Sequence, residues 1–440
     1  MTSSVHTKNK WLGVVVITSL LLSGFVIFYR FCSVPRFLTF DEIEFAKLAL
    51  SLDGHAYTPY SPLATGHATM YFYILLQSLK LFGTTSFGLR LPSALFGMFA
   101  IVLFYLVIQK SLNKAERFRV SRLQNVLAIG GLFLFATTRW FFNFARFGFE
   151  GTFLITLELA SLLFFLHYLD HKEKKWLIGS GLFAGLAYNS YQPGRLFFLV
   201  ILIALFAFVL ERKNNQLDFS FFSKYTIMTF LSFLVPFIIC ITPLTVYLSR
   251  QPDIRVNQLL YPANTELSIQ EKFSFFGRNV ASTLLLFSVR GDVNGRHNYP
   301  NKAALNPIIS VFFILGLFFA SKDIKNKINQ IFLLYFCISI FPTLLTYPWE
   351  NPNMLRTITS LPSIVYFSIY SFGVLYRYIQ DRYKISSQIF IIILFFILSA
   401  SALYDLRTYY IYQAPVFFEA FEAHMPLQYY IDHPDAKIKQ

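Results

Sequence analysis

The stretch GHATMYFYILLQSLKLFG, residues 66–83, decides how the whole chain is threaded. It is apolar enough to resemble a membrane span, yet His67, Gln77 and Lys80 interrupt it. If it crossed a bilayer, every later loop would change sides and the basic loops would face outward. Read as an amphipathic helix lying in the interface, it leaves those loops inside. The second reading agrees with the charge pattern.

Working outward, the 440 residues are 55% hydrophobic, 19% aromatic and only 14% charged. Soluble domains carry about 25% charged residues, so this chain lacks the polar surface for a soluble fold. The 53 Phe suit lipid-facing and interfacial positions. Cys32, Cys240 and Cys337 are widely spaced, which implies neither a disulfide framework nor a zinc site. The net charge of +15 points to positive-inside topology rather than to nucleic acid. The run 11–31 is too long for a signal-peptide core and reads as a retained helix.

A span needs roughly 20 apolar residues. Further spans are predicted near 87–109, 123–138, 147–169, 176–191, 194–210, 225–248, 305–320, 329–347, 357–377 and 388–404, making about 11 in all. The loops KSLNKAERFRVSR, DHKEKK, ERKNNQLDFSFFSK, SKDIKNKIN and YRYIQDRYK then lie on one side with the N-terminal tail, and together with that tail they hold half of the 38 Lys and Arg. That side is predicted cytoplasmic. The outer face receives loops 32–86 and 249–304 and a short tail, 405–440, after a transmembrane domain of residues 1–404.

Chemistry-bearing residues gather on that outer side. FDEIEF places Asp41, Glu42 and Glu44 just beyond the first span. Asp41 fits a helix N-cap, and it equally fits a general base held at the membrane surface. In NFARFGFEGTFLITLELA, Arg146 and Glu150 stand four apart, and Glu158 lies two turns deeper. An intramembrane acid is a functional hypothesis by default; an ion pair for Glu150 and an interhelical hydrogen bond for Glu158 are the plainer alternatives.

YNSYQPGRLF sets Tyr191, Gln192 and Arg195 in a turn between two segments of about 24 Å each, shorter than the roughly 30 Å hydrocarbon layer. A buried arginine there needs an anion, either a residue such as Glu150 or a ligand phosphate. RGDVNGRHNYPNKAALNP crowds Arg290, Asp292, Asn294, Arg296, His297 and Asn298 beside the next span, a density suited to phosphate and sugar hydroxyls or to packing over the bundle. His297 with Asp292 is too small a set to define a metal site. In YPWENPNMLRTITSLPS, Arg356 stands beside Glu350, Asn351 and Asn353. It either snorkels or joins Arg195 and Arg296 in one anion site.

In their order along the chain, FDEIEF, GHATMYFYILLQSLKLFGTTSFGLRLPSALFG, ARFGFEGTFL, SYQPGR, GDVNGRHNYP and NMLRTITSLP resemble segments of the GT-C glycosyltransferases that use polyprenyl-phosphate sugars. The resemblance is to the protein O-mannosyltransferase and aminoarabinose transferase group, a bacterial branch of family 39 type. It implies an all-α polytopic membrane protein of the GT-C fold with interfacial helices in the first outer loop. It further implies transfer, with inversion, of a sugar from a polyprenyl-phosphate donor, undecaprenyl phosphate in a bacterial setting. The acceptor would be a glycan, a lipid or a protein at the outer face of the cell membrane.

By the same resemblance Asp41 is the base, Glu42 its neighbour and Glu150 the second acid, where many members have Asp. Arg195, Arg296 and Arg356 would stabilise the leaving phosphate, with Arg146, Tyr191, Asp292, Asn294 and His297 around donor phosphate and sugar. No cofactor, no metal and no nucleic-acid partner is implied, and the tail is too short for the accessory domain of some relatives. Two other readings stay open: a lipid-linked-sugar flippase and a catalytically inactive relative. A flippase of the carrier type would show internal repeats and broken midplane helices, neither of which is apparent.

Overall fold

The computed structural model describes residues 2–114, 121–214, 223–251, 253 and 258–436. Parts of the basic loops 110–122 and 211–224, of loop 249–304 and of the tail lie outside the described residues. Helix α1, Thr2–Phe28, leads into a loop carrying α2 Phe40–Ser51, strands β1 Tyr60–Ser61 and β2 His67–Ala68, and α3 Met70–Phe82. Next come α4 Ser86–Lys114, α5 Ser121–Thr137, the short α6 Arg139–Phe144, α7 Gly151–His171, α8 Lys174–Tyr188, α9 Phe198–Asn214 and α10 Lys224–Arg250. A second loop carries α11 Ile269–Ser288, followed by α12 Pro307–Lys322, α13 Lys327–Leu344, α14 Leu361–Tyr383 and α15 Ser387–Arg407. A π-helical turn, Thr408–Gln413, continues into α16 Ala414–Ala420 and then α17 Leu427–Asp432.

Every apolar run predicted as a span is helical. Among the described residues, seven helical segments are long and apolar enough to cross a membrane, and Gly13–Phe28, Met70–Phe82, Leu123–Thr137 and Pro307–Lys322 are shorter apolar ones. The protein is thus an all-α, multi-pass membrane protein. Helix α3 has 13 residues, about 20 Å of rise, too little to span. Helix α8 is short as expected, with 15 residues. The segment after it is not, because the turn Gln192–Leu196 runs on into α9 to make a stretch of 20 residues, Gln192–Glu211.

Helix α4 packs between α5 and α7, α8 between α7 and α10, and α14 against α12 and α5. Near the centre the Tyr335 hydroxyl donates to Glu158 Oε2 at 2.6 Å, so Glu158 takes the plainer of its two readings. The tail folds back over the first loop. Leu38 and Ala423 exchange backbone hydrogen bonds of 3.1 and 3.0 Å, and Phe37 stacks on His424.

Arg146 ties this end together and cannot hold a donor phosphate. Fully buried, it donates to the carbonyls of Val26, Ile27, Tyr29, Arg30 and Val34 at 2.6–3.3 Å and to the Tyr409 hydroxyl at 3.1 Å. The Val26 and Ile27 carbonyls belong to the last turn of α1, which lacks intrahelical donors and carries partial negative charge; those of Tyr29, Arg30 and Val34 lie in the segment that follows. The charge is held by dipoles rather than by Glu150, which lies beyond the turn at the start of α7. Arg146→Met orphans the buried Val26 and Ile27 carbonyls at about 1–3 kcal/mol each. The purified variant is expected to lose at least about 3 kcal/mol, read as an earlier thermal transition in detergent.

Candidate functional site

Helix α2 starts with a reciprocal cap. Thr39 Oγ1 accepts the Glu42 N–H, and Glu42 Oε2 accepts the Thr39 N–H, both at 3.0 Å. Thr39 therefore takes the capping role expected of Asp41, and leaves the Asp41 carboxylate unspent in the first turn. The helix N-terminus favours an anion there. Asp41 is 43% exposed and receives Arg296 Nη1 on Oδ2 at 2.7 Å. On its other side Arg296 reaches within 3.9 Å of Glu422 from the tail. Arg296 and Glu422 line an open cleft of about 420 Å³ with Phe40, Glu44, Lys47 and Tyr430.

Glu42 points the other way. Its side chain is fully buried, receives Arg90 Nε and Nη2 at 2.7 and 3.0 Å, and accepts the Gly148 N–H at 2.8 Å. Arg90 also donates to the carbonyls of Pro35 and Phe37, both at 2.6 Å. A carboxylate so committed has no face left for a substrate. Expected beside Asp41 in the reaction, Glu42 instead fixes α2 to α4 and to the turn before α7.

That turn delivers Glu150, which is buried and meets His67 Nδ1 at 3.1 Å. Phe45, one turn after Asp41 on the same face of α2, packs its ring 5.0 Å from both His67 and Phe149. Asp41 and the Glu150–His67 pair thus flank one turn of α2. The hairpin that supplies His67 turns at Gly66, whose φ of +93° and closeness to the Tyr60 hydroxyl exclude a side chain. Tyr60 in turn donates to Asp253 at 3.0 Å, and Arg195 reaches that carboxylate with both terminal nitrogens at 3.3 Å. The anion facing Arg195 is therefore Asp253, not Glu150.

The loop holding Arg296 is built on Asp292. Its carboxylate accepts the N–H groups of Asn294 and Met354 and meets His297 Nδ1, each at 2.8 Å. Asn294 Oδ1 accepts the Arg296 N–H at 3.0 Å, and Asn143 donates to the Arg296 and His297 carbonyls. Asp292 and His297 are buried, so these residues shape the loop that aims Arg296; expected around the sugar and phosphate, they are spent on each other. Tyr191 is also buried, at the start of the Arg195 turn. Arg356 pairs with Glu350 at 2.7 Å. Each of the three expected arginines has its own carboxylate, and each is partly exposed, at 24, 19 and 13% for Arg296, Arg195 and Arg356.

His67, Arg90, Asp253 and Glu422 are the partners sequence reasoning missed. Arg90 had a signal, because an arginine early in an apolar helix needs an acid. The others had none, since their pairing depends on how the loops and the tail fold over α2. Away from the site, the hydrogen bond from Lys80 holds exposed Asp53 below the usual carboxylate range.

Part of the chain matches a known family model, and its fold is similar to those of two solved membrane proteins. Residues 66–240 match the family model described as dolichyl-phosphate-mannose-protein mannosyltransferase. The fold is similar to that of ArnT from Cupriavidus metallidurans bound to undecaprenyl phosphate, with a TM-score of 0.56 and 12% identity over 94% of this chain and 77% of that one. It is also similar to the archaeal oligosaccharyltransferase AglB from Archaeoglobus fulgidus in complex with an inhibitory peptide and a dolichol-phosphate, with a TM-score of 0.51 and 17% identity over 95% of this chain. The chain spans 57% of the length of AglB. No curated protein sequence matches. The chain shares its all-α GT-C fold with these two proteins.

Proposed function

We propose that the protein transfers a sugar from a polyprenyl-phosphate donor, undecaprenyl phosphate in a bacterial setting, to an acceptor hydroxyl at the outer membrane face. The observation that carries this reading is the pair Asp41–Arg296: a half-exposed carboxylate with no structural duty, beside an arginine that is aimed but not buried. Asp41 takes the proton of the acceptor hydroxyl as its oxygen bonds to the anomeric carbon. The carbon–oxygen bond to phosphate breaks on the opposite side, with inversion, and its electron pair leaves on polyprenyl phosphate. Arg296, swinging from Asp41, meets that growing charge, and the switch also frees the base. Stabilisation of this kind is commonly worth several kcal/mol (about 3–4 for a single donor).

Arg195 and Arg356 are further phosphate ligands once their carboxylates yield. Glu150, held by His67, lies beside α2 as a second acid that positions acceptor or base. Glu42 is a positioning residue in this scheme. The opposite end of the bundle, with its basic loops, faces the cytoplasm.

The test uses purified protein in nanodiscs with a panel of polyprenyl-phosphate sugars and candidate glycan, lipid and peptide acceptors. Release of polyprenyl phosphate coupled to glycosylation of one acceptor is the expected result. Donor binding without release across the whole panel would overturn the transferase reading.

A further inference from the structure

We propose that the end of the bundle opposite Asp41 carries a site for an anionic phospholipid. Its phosphodiester sits among Lys114, Lys172, Lys325 and Lys327, and one acyl chain lies in the groove between α7, α9 and α13. These four lysines come from three separate parts of the chain: the end of α4, the residue after α7, and the α12–α13 connection with the first residue of α13. They line one open cleft of about 580 Å³. Independent snorkelling side chains would diverge into water; these converge on a concavity.

The cleft does not end at the polar surface. Leu169, Phe208 and Lys327 line both it and a second, mostly apolar groove of about 200 Å³. That groove is walled by Phe165 of α7, Ile203 and Ala207 of α9, and Ile331 and Leu334 of α13. Ile203 is 46% exposed, so the groove opens toward lipid. A cationic cleft leading into an apolar furrow between helices matches a molecule with a phosphate at one end and a hydrocarbon chain at the other.

The electrostatics leave room for a guest. Lys114 is paired with Asp170, which Lys110 also reaches at 2.5 Å, and Lys327 is paired with Glu211. These acids are 31 and 52% exposed, so solvent screens both pairs and a phosphate can displace them cheaply. Lys172 Nζ lies 3.8 Å from the centre of the Phe208 ring and donates to the Leu169 carbonyl at 2.8 Å, at the seam between cleft and groove. Lys325 is exposed and makes no ion pair among the described residues. The one carboxylate among the lining residues of the cleft, Asp323, accepts the Tyr370 hydroxyl at 2.8 Å. The site is remote from Asp41 and independent of the reaction proposed there.

Delipidated full-length protein is exchanged into nanodiscs of phosphatidylcholine with a minor share of phosphatidylglycerol, and retained lipid is counted by native mass spectrometry after release into detergent. The native chain is expected to retain phosphatidylglycerol over phosphatidylcholine. K172Q/K325Q should lower that retention at least tenfold, and Ala207→Trp, which fills the groove from an exposed position, should do the same. K175Q/K384Q removes equal charge from exposed positions outside the cleft and should change nothing. Equal loss in both double variants, or none in K172Q/K325Q, would overturn the site. So would complete displacement by millimolar glycerol 3-phosphate, which would assign the cleft to a soluble phosphate ester. Melting in pure phosphatidylcholine checks that each variant is folded, and the lysine variants keep the test decisive if Ala207→Trp is not.

Discussion

Replacing Glu42 by Gln is expected to destabilise the protein by about 3–5 kcal/mol, although Gln keeps the size and much of the hydrogen bonding. The cause is the charge. Arg90 is fully buried and has Glu42 as its carboxylate partner, at 2.7 and 3.0 Å. Removing one member of a buried pair leaves the other uncompensated, which costs far more than the pair contributes. The Pro35 and Phe37 carbonyls solvate the guanidinium only in part. Thermal unfolding of the detergent-solubilised variant measures the loss. The double variant E42Q/R90M should recover a large fraction of it, and the double-mutant cycle then gives the coupling directly. A Glu42→Gln protein that melts like the native chain yet has lost turnover would return Glu42 to the chemistry.

What the sequence disclosed and what it hid follow from the range of the interactions. Helices arise from local hydropathy, and each apolar run from 11–31 to 388–404 is a helix in the fold. The amphipathic stretch at 66–83 was legible for the same reason: His67, Gln77 and Lys80 are incompatible with lipid on all sides. Asp41 stood out because acids are scarce in this chain. The division of labour between Asp41 and Glu42 was not legible, since adjacent carboxylates look alike until a cap and a distant arginine separate them. Thr39 decides the first and Arg90, 48 residues away, the second.

The arginines teach the converse. Arg146 and Arg195 looked alike as cations at helix ends. One caps the carbonyls closing α1, the other faces a carboxylate across a loop. That difference lies in the approach of α1 and of residue 253, which no local pattern encodes. Asp292, Asn294 and His297 were found as a dense polar cluster, but density alone does not separate a binding loop from one whose polar groups bond each other. Glu422 sits at the site because the exchange between Leu38 and Ala423 pins the tail over α2.

Asp41→Asn is expected to lower kcat by about 10²–10⁴-fold, the range for loss of a general base, while the melting curve barely moves. The two halves of this expectation rest on different observations. Asp41 is 43% exposed and Thr39, not Asp41, caps α2, so the carboxylate adds little to the fold. Its contact with Arg296 is half in solvent and contributes no more than about 1 kcal/mol. Asn leaves the contact geometry nearly intact but cannot accept the acceptor proton. Donor affinity should hold or rise, since Arg296 is released from its anion and is freer to meet the donor phosphate. Arg296→Gln should do the reverse, weakening donor binding while Asp41 remains in place. The paired readout is donor binding by titration and polyprenyl phosphate release under saturating donor. If Asp41→Asn turned over at the native rate, the base would have to be sought elsewhere, and the Glu150–His67 pair, packed against Phe45 one turn along α2, is where the geometry next points.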